Sequence, residues 1–151
     1  MAETLIATAT LDDVRHVAAN LRGEDYLEVS LVQEDPPDIA CVKAMTNSKW
    51  CKCMLMDGKP VVIFGVFDSG QAKIGAPWMV STDDIIKIKK QFVRASVREV
   101  QLMNDDFPLL CNMVHRDNLV SQAWLRWLGF TILSDPTGPG EQFYGFFKGA
   151  V

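Results

Sequence analysis

The chain has 151 residues, of which 48% are hydrophobic and 23% are charged, and its formal net charge at pH 7 is −4. This length and apolar content predict one globular domain with a single core, and they argue against disorder. The acidic balance predicts no general attraction to nucleic acid or to an anionic membrane. No apolar stretch reaches the roughly 18 residues that span a bilayer, and the first residues do not resemble a signal peptide, so a cytoplasmic compartment is expected.

The four cysteines argue against a metal centre. Cys41, Cys51, Cys53 and Cys111 contain no pair with the C-x-x-C spacing of zinc sites, and two of them are separated by one residue inside a predicted strand. Reduced structural thiols and no bound metal are therefore expected.

The first third of the chain predicts a strand followed by helices. Residues 4–9 are β-rich, and Thr10 then opens a helix with capping-box spacing that ends near Gly23. Residues 24–34 have no clean period and fit a loop or a short helix, and a double proline stops them. Residues 38–47 form a further predicted helix.

The middle of the chain predicts a hairpin, a strand and a long helix. Apolar strands at 50–56 and 60–67 flank Asp57-Gly58, which is the strongest short-range hairpin signal. A short strand at 75–81 leads into a helix at 83–105 capped by Thr82. The charged side chains expected on the outer face of that helix are Lys87, Lys89, Lys90, Arg94, Arg98 and Glu99.

The segment 109–130 organises the last third of the chain. An apolar strand at 109–114 passes through the turn 115–117 into a helix that Asn118 caps and Gly129 ends in the left-handed conformation. The predicted apolar face of this helix holds Val120, Trp124, Trp127 and Leu128, with Gln122 and Arg126 opposite. Strands at 130–134 and 142–148 close the chain, giving an α/β order of about seven strands and about four helices.

Two motifs in this order carry a family resemblance. Asn118 and Leu128-Gly129-Phe130 stand at the spacing seen in the helix after the fifth strand of the GNAT N-acetyltransferases. PWMVSTD at 77–83 and SQAWLRWLGF at 121–130 resemble, more narrowly, the internal virion protein A family of podovirus phages. The resemblance covers nearly the full length. It implies a GNAT-like α/β fold with a mixed central sheet in a single domain. In that sheet the strands at 75–81 and 109–114 should be parallel neighbours that diverge toward their carboxyl ends and leave a crevice near Thr82 and His115.

The resemblance also implies an acetyl-CoA site, from which this chain departs twice. GNAT enzymes hold the pyrophosphate on a glycine-containing turn after the fourth strand, but residues 81–86 contain no glycine and place Asp83 and Asp84 at the helix start, where they repel an anion. Many GNAT enzymes also carry an acidic Tyr seven residues after the helix-opening Asn, and here that position is Leu125. Acetyl-CoA is thus a possible cofactor that we expect to bind weakly.

The candidate site residues follow from this comparison. Residue type and predicted loop position make His115 and Glu24, or Asp25, candidates for acid and base chemistry. The resemblance implies cofactor contacts from the strand at 75–81 and the neighbouring crevice, through Trp78, Met79, Val80, Thr82, Asn112 and Asn118. Each of four has a structural alternative: a turn histidine for His115, a core aromatic for Trp78, a simple cap for Asn118 and a satisfied strand amide for Asn112.

Three functions remain open at this stage. The two departures favour a phage-encoded GNAT-fold protein with a degenerate acetyl-CoA site, serving virion morphogenesis or a protein interaction. The alternative is an acetyl-CoA-dependent N-acetyltransferase acting on a small amine or a protein amine, and a second alternative is an inhibitor of a bacterial host protein. The expected partner is a phage or host protein, without nucleic acid or membrane. The expected location is the cytoplasm of the infected host or the virion.

Overall fold

The structure, a computed structural model, describes residues 2–150. Within them a seven-stranded sheet is flanked by five α-helices and two short 3₁₀ helices at Asp83–Ile88 and Pro139–Glu141. The strands are β1 Thr4–Thr8, β2 Ser48–Met56, β3 Lys59–Asp68, β4 Ile74–Ser81, β5 Leu109–His115, β6 Thr131–Thr137 and β7 Phe143–Gly149. The α-helices are α1 Leu11–Ala19, α2 Gly23–Val32, α3 Pro37–Asn47, α4 Lys89–Asp106 and α5 Leu119–Trp127.

The sheet divides where its only parallel pair diverges. Its order is β1-β2-β3-β4-β5-β7-β6, and every neighbouring pair is antiparallel except β4 with β5. These two strands are paired only at Ile74 with Leu109 and at Gly75 with Leu110. Beyond those two pairs they separate toward their carboxyl ends, which confirms the predicted parallel adjacency and leaves a gap in the middle of the sheet.

Local signals act as the sequence predicted at three points. Asp57 and Gly58 take positive φ angles of 48° and 82° in the β2–β3 hairpin, as a type I′ turn requires. The Thr10 side chain accepts from the Asp13 N–H while the Asp13 side chain accepts from the Thr10 N–H, which completes the capping box. Gly129 has a φ of 96°, so the left-handed end of α5 is confirmed.

Helices cover both faces of the sheet. On one face α1 and α3, with part of α2, pack on alternate side chains of β2, β3 and β4, among them Cys53, Ile63 and Val80. On the other face α4 and α5 pack on the remaining side chains, including Phe64, Leu110 and Val114. We call these the α1–α3 face and the α4–α5 face. The gap between β4 and β5 connects them.

The predicted face of α5 is wrong in part. Trp124 and Leu128 pack on the core and Arg126 is exposed, as predicted, but the other two apolar residues do not lie on the buried side. Val120 and Trp127 are 59% exposed, whereas Gln122 and Leu125 are buried. Gln122 is buried because its side-chain amide donates to the carbonyls of His115 and Arg116, at 3.1 and 2.8 Å, and so satisfies the turn that enters the helix. A polar residue with such partners costs little free energy to bury, so α5 turns its Gln122 side toward the interior of the protein.

Two smaller expectations are also corrected, and for a third segment one of its two predicted alternatives is confirmed. The helix predicted at 83–105 begins as the 3₁₀ helix Asp83–Ile88 and becomes α-helical only at Lys89. Glu99 is buried rather than outward, because its carboxylate pairs with Lys52 of β2 at 2.8 Å. Residues 24–34, which fit a loop or a short helix, mostly belong to α2.

Candidate functional site

A cavity of about 350 Å³ fills the gap between β4 and β5. Met79 and Val80 of β4, and Asn112 and Met113 of β5, line its middle. On the α1–α3 face its walls come from α2 and α3, and on the α4–α5 face they come from α4 and α5. The cavity therefore passes through the sheet, so two molecules could meet in it from opposite faces.

Asn112 holds the narrow end of the gap. Its Nδ2 donates to the Pro77 carbonyl of β4 at 2.7 Å, and its Oδ1 accepts from the Met113 N–H of β5 at 2.8 Å. The side chain thus continues the β4–β5 ladder by one rung after the strands have begun to part. This geometry matches the satisfied amide that the sequence left open, and Asn112 also lines the cavity.

Two carboxylates of α2 hold the wide end. Asp25 accepts from the Ser81 N–H of β4 at 2.8 Å. Glu28 accepts from the His115 N–H of β5 at 3.2 Å and from Asn118 Nδ2 at 2.9 Å. Because residues i and i+3 lie on the same side of a helix, one turn of α2 spans both strand ends.

The backbone of Met79 faces the gap between these two ends. The Pro77 carbonyl accepts from Asn112 of β5, and the Ser81 N–H donates to Asp25 of α2, so both groups lie on the edge of β4 that faces away from β3. Alternate residues of a strand direct their polar groups to the same edge. The N–H and C=O of Met79 therefore point into the gap, beyond the last β4–β5 pair at Gly75. They form an edge on which an extended chain could pair.

The wide end carries more negative than positive charge. Arg22 lies 3.1 Å from Asp25 and 3.4 Å from Glu24, and its guanidinium also reaches Ser121 of α5 at 3.4 Å. Its Nε–H has no aligned acceptor among the described residues, so the 3.1 Å contact is an ion pair rather than a well-directed hydrogen bond. Glu28 forms no ion pair with any residue in 2–150.

Burial dominates the titration of Glu28. Loss of water around the carboxylate raises the pKa of Glu28, and the hydrogen bonds from Asn118 and His115 offset only part of that shift. Burial likewise raises the pKa of Asp25, against the opposing pull of Arg22 and the Ser81 hydrogen bonds. Glu28 is thus a cavity carboxylate without a cation of its own.

Both ring nitrogens of His115 are engaged. Nδ1 accepts the Asp117 N–H at 3.1 Å, and Nε2 lies 3.1 Å from Gln142 Oε1, which can accept its proton. The ring is buried and packs edge-on against Phe143. This is the geometry of the turn-histidine alternative, and an acid or base role for His115 stays a prediction.

The other candidates lie at different depths. Glu24 is 57% exposed, pairs with Arg22 and does not line the cavity. Thr82 is buried, and its hydroxyl caps the 3₁₀ helix by accepting the Asp84 N–H at 3.3 Å. Asn118 caps α5 through the Ser121 N–H as well as holding Glu28. The roles of all three in binding or catalysis stay predictions.

The β4 candidates line the cavity from both faces. Trp78 stacks on Phe67 at 5.8 Å on the α1–α3 face and donates to Ser48 Oγ at 2.7 Å. Val80 is buried on the same face, and Met79 packs toward the α4–α5 face. Trp78 is therefore both a packed aromatic and a wall of the cavity.

Sequence reasoning missed Glu28. The signal that could have found it is the spacing of Asp25, Glu28, Val29 and Val32, which share one side of a helix and all line the cavity.

The fold is similar to that of several solved acetyltransferase structures. A GNAT-family acetyltransferase from Streptococcus pneumoniae is 17% identical, with a TM-score of 0.65 over 99% of this chain and 100% of that one. The chain has the fold of the GNAT acetyltransferases. A ribosomal-protein-alanine N-acetyltransferase from Brucella melitensis is 14% identical over 96% and 99% of the two chains, with a TM-score of 0.70.

A third GNAT-fold structure is an acetyltransferase from Bacillus subtilis in complex with CoA. It is 8% identical over 100% of both chains, with a TM-score of 0.64. Identities this low establish the fold alone. No protein-family model and no curated protein sequence matches the chain. All three are bacterial acetyltransferases, so they do not test the resemblance to internal virion protein A, which stays a prediction.

Two negative findings apply to the described part of the chain. No group of three or more His, Cys, Asp or Glu side chains is placed to hold a metal ion. No helix within residues 2–150 is long and apolar enough to cross a membrane.

Proposed function

We propose that this GNAT-fold protein is an N-acetyltransferase that uses acetyl-CoA and acts on a primary amine. The observation that carries the proposal is the cavity that crosses the sheet between β4 and β5, with the Met79 backbone edge and the Glu28 carboxylate both facing it. An acyl donor and an amine acceptor can approach each other through such a cavity from opposite faces.

The pantetheine part of the cofactor fits the gap. It is an extended chain with two amides, and the N–H and C=O of Met79 offer it the pairing that β5 gives up after Gly75. When bound, acetyl-CoA supplies the activated acetyl thioester. Met79 would hold the arm by its backbone, while Asn112 keeps the strands at a fixed separation just below it.

The pyrophosphate part fits less well. Asp83 and Asp84 open the 3₁₀ helix where a GNAT pyrophosphate would lie, and Thr82 already occupies the Asp84 N–H. Lys87 and Lys59 each lie 3.1 Å from Asp84 and hold its pKa below the usual range, so they neutralise this carboxylate. Asp83 remains exposed without a described ion pair, and it opposes an anion. No catalytic step is assigned to this turn.

Glu28 would accept the proton of the amine. An amine attacks a thioester only as the free base, so a carboxylate near the acceptor assists by removing a proton. Burial raises the pKa of Glu28, which makes it a stronger base than an exposed glutamate. Leu125 is buried and offers no proton to the leaving thiolate.

A second candidate is a GNAT scaffold that binds a partner without turnover. Asp83 at the pyrophosphate position and Leu125 at the tyrosine position favour it. Within this candidate, a part in virion morphogenesis or an inhibitory action on a host protein rests on the family resemblance and on protein size rather than on any contact in the site.

Calorimetry with two donors tests the proposal. Acetyl-CoA and acetyl-pantetheine share the thioester arm, and only the first carries the pyrophosphate. We expect both to bind, and acetyl-CoA at 100 times its Kd to stabilise the fold by about 2.7 kcal/mol in a melt. Thiol release with a panel of primary amines then tests transfer. A Kd above about 1 mM for both donors, which corresponds to less than about 4 kcal/mol of binding free energy, would favour the scaffold that binds a partner without turnover.

A further inference from the structure

The half of the cavity on the α1–α3 face has a lining distinct from that of the other half. Its polar lining is Asp25 and Glu28 of α2, with Gln33 just after the end of that helix, and the other lining residues on this face are mostly apolar. We call this part the acceptor pocket, and its apolar walls are Val29, Val32, Ala40, Cys41, Ala44 and the Phe67–Trp78 stack.

Small side chains on α3 leave the room that makes this a pocket. Ala40, Cys41 and Ala44 share one side of α3 and face the cavity. Burial raises the pKa of Cys41 to about 11, so its thiol stays protonated and acts as a small apolar wall. A larger residue at position 44 would fill space that a ligand could otherwise use.

Along the inner side of α2 the pocket changes from an apolar, solvent-exposed end to an acidic inner end. Glu28 and Val32 are one turn apart on the same side, so their Cα atoms are about 6 Å apart along the helix axis. Val32 is 41% exposed, so that end opens to solvent. A ligand that follows this side meets apolar walls first and a carboxylate at the end.

The charges around the acceptor pocket favour a positively charged group on the ligand. Arg22 is the one described cation that pairs with the carboxylates of this region, and it is shared by Glu24 and Asp25. Glu28 accepts two hydrogen bonds, from His115 and Asn118, but has no ion-pair partner among the described residues, and it is partly buried. A cationic group stabilises such a carboxylate, whereas an anion would be repelled.

We propose that the acceptor pocket binds a primary ammonium group carried on an aromatic or branched aliphatic body, with the ammonium at Glu28 and the body between α2, α3 and Trp78. This inference rests on the proposed function for its catalytic meaning, since it names the class of amine that would receive the acetyl group. The same chemistry is found in a small arylalkylamine and in the first residue of a polypeptide that begins with a large apolar side chain.

Binding of three small probes to the intact chain tests the pocket without requiring turnover. Phenethylamine has both features, 2-phenylethanol lacks the charge, and ethanolamine lacks the apolar body. We expect phenethylamine to bind at least about 10-fold more tightly than either control, the difference that a few buried methylene groups or one charged contact produce. Equal affinity of phenethylamine and ethanolamine, or no binding of phenethylamine, would overturn the proposal.

Variants then locate the binding. Glu28→Gln keeps a hydrogen-bond acceptor for Asn118 and His115, and it should remove the preference for phenethylamine over 2-phenylethanol. Ala44→Phe should block both probes. Since Ala44→Phe could disturb folding, Val32→Ala at the exposed rim is a milder test, and Val97→Ala on α4 is its matched control because both valines are 41% exposed. Weaker phenethylamine binding in Val97→Ala and not in Val32→Ala would contradict the location.

Two further experiments distinguish a small amine from a polypeptide acceptor, and the pocket assignment from the acetyltransferase proposal. Peptides of equal length that begin with Phe or Ser distinguish a polypeptide acceptor from a small amine. If the chain acetylates ethanolamine as well as phenethylamine, the pocket assignment fails and the acetyltransferase proposal stands. If phenethylamine binds at Glu28 while neither acetyl donor binds, the pocket assignment stands and the acetyltransferase proposal fails.

Discussion

A single residue, Glu28, connects the gap in the sheet to the proposed chemistry. For Glu28→Gln we expect the rate of acetyl transfer to fall by about 100-fold or more, because the amide cannot take a proton. The fold should persist, since the glutamine oxygen can still accept from Asn118 and His115. Steady-state kinetics with a primary amine measures the loss, and a urea melt checks the fold.

The pH profile sharpens that prediction. Because burial raises the pKa of Glu28, activity of the parent should rise with pH through a value above the ordinary glutamate range, as the carboxylate loses its proton. This limb should be absent in Glu28→Gln. The competing candidate is tested by Glu24→Gln, and Glu34→Gln in the exposed segment after α2 is a control. Full activity of Glu28→Gln with loss in Glu24→Gln would contradict the assignment.

The same residue shows where sequence reasoning stops. Residues 24–34 showed no clean period because α2 exposes apolar side chains on its outer side, with Tyr26 at 55% and Leu27 at 46%. Because a loop and a short helix both remained open there, Glu24 and Asp25 could be chosen only by residue type and predicted position. The contact that makes Glu28 distinctive joins it to Asn118, 90 positions later, and no local pattern encodes it.

Among the elements, the 3₁₀ helix at Asp83–Ile88 decides how the cofactor is held. Replacing Asp83 and Asp84 together by Asn should raise affinity for acetyl-CoA on the order of 10-fold, because two negative charges leave a helix start and each such charge contributes about 0.3–1 kcal/mol. It would also free Lys59 and Lys87 from Asp84. Calorimetry measures the gain.

The matched control for the 3₁₀ helix uses the other end of α4. Asp105→Asn removes an exposed carboxylate far along the same helix and should leave affinity for acetyl-CoA unchanged. Affinity for acetyl-pantetheine should be the same in all three proteins, since it carries no pyrophosphate. An unchanged acetyl-CoA affinity in the double variant would show that this turn does not face the cofactor.

Elements could be predicted where local physics fixes them, and not where distant contacts do. The Asp57-Gly58 hairpin and the Thr10 capping box follow from backbone preferences within four residues. The face of α5 depends instead on Gln122, whose burial is stabilised by the carbonyls that end β5. An apolar pattern treats glutamine as a surface residue, so it placed Trp124 and Leu128 correctly but also assigned the exposed Val120 and Trp127 to the buried side.

At the scale of the whole molecule, the cavity exists because the two halves of the sheet are joined by very few backbone pairs. Strands β1 to β4 and strands β5 to β7 are paired across two positions only, and Asn112 adds one more link. The order of elements and the family resemblance predicted that β4 and β5 would be parallel neighbours. The width of the gap depends on side chains of α2 that reach both strand ends, which the sequence pattern did not reveal.

The junction of the two halves gives a stability prediction that does not depend on any ligand. Gly75 is one of the paired β4 residues, and the buried Phe107 ring covers it so closely that an added Cβ would lie 2.5 Å from Phe107 Cγ. Gly75→Ala must displace the ring or the strand, and overpacking of this kind costs about 1–3 kcal/mol.

Gly23→Ala at the start of α2 is the matched control, because its Cβ would meet no heavy atom within 4 Å and its φ is not positive. It should be neutral or stabilising by up to about 1 kcal/mol. Urea melts followed by fluorescence and by circular dichroism should shift together for Gly75→Ala, since both halves share this junction. A midpoint equal to that of Gly23→Ala would mean that β4 and β5 can separate at Gly75 without cost, and the gap would then not be fixed by its narrow end.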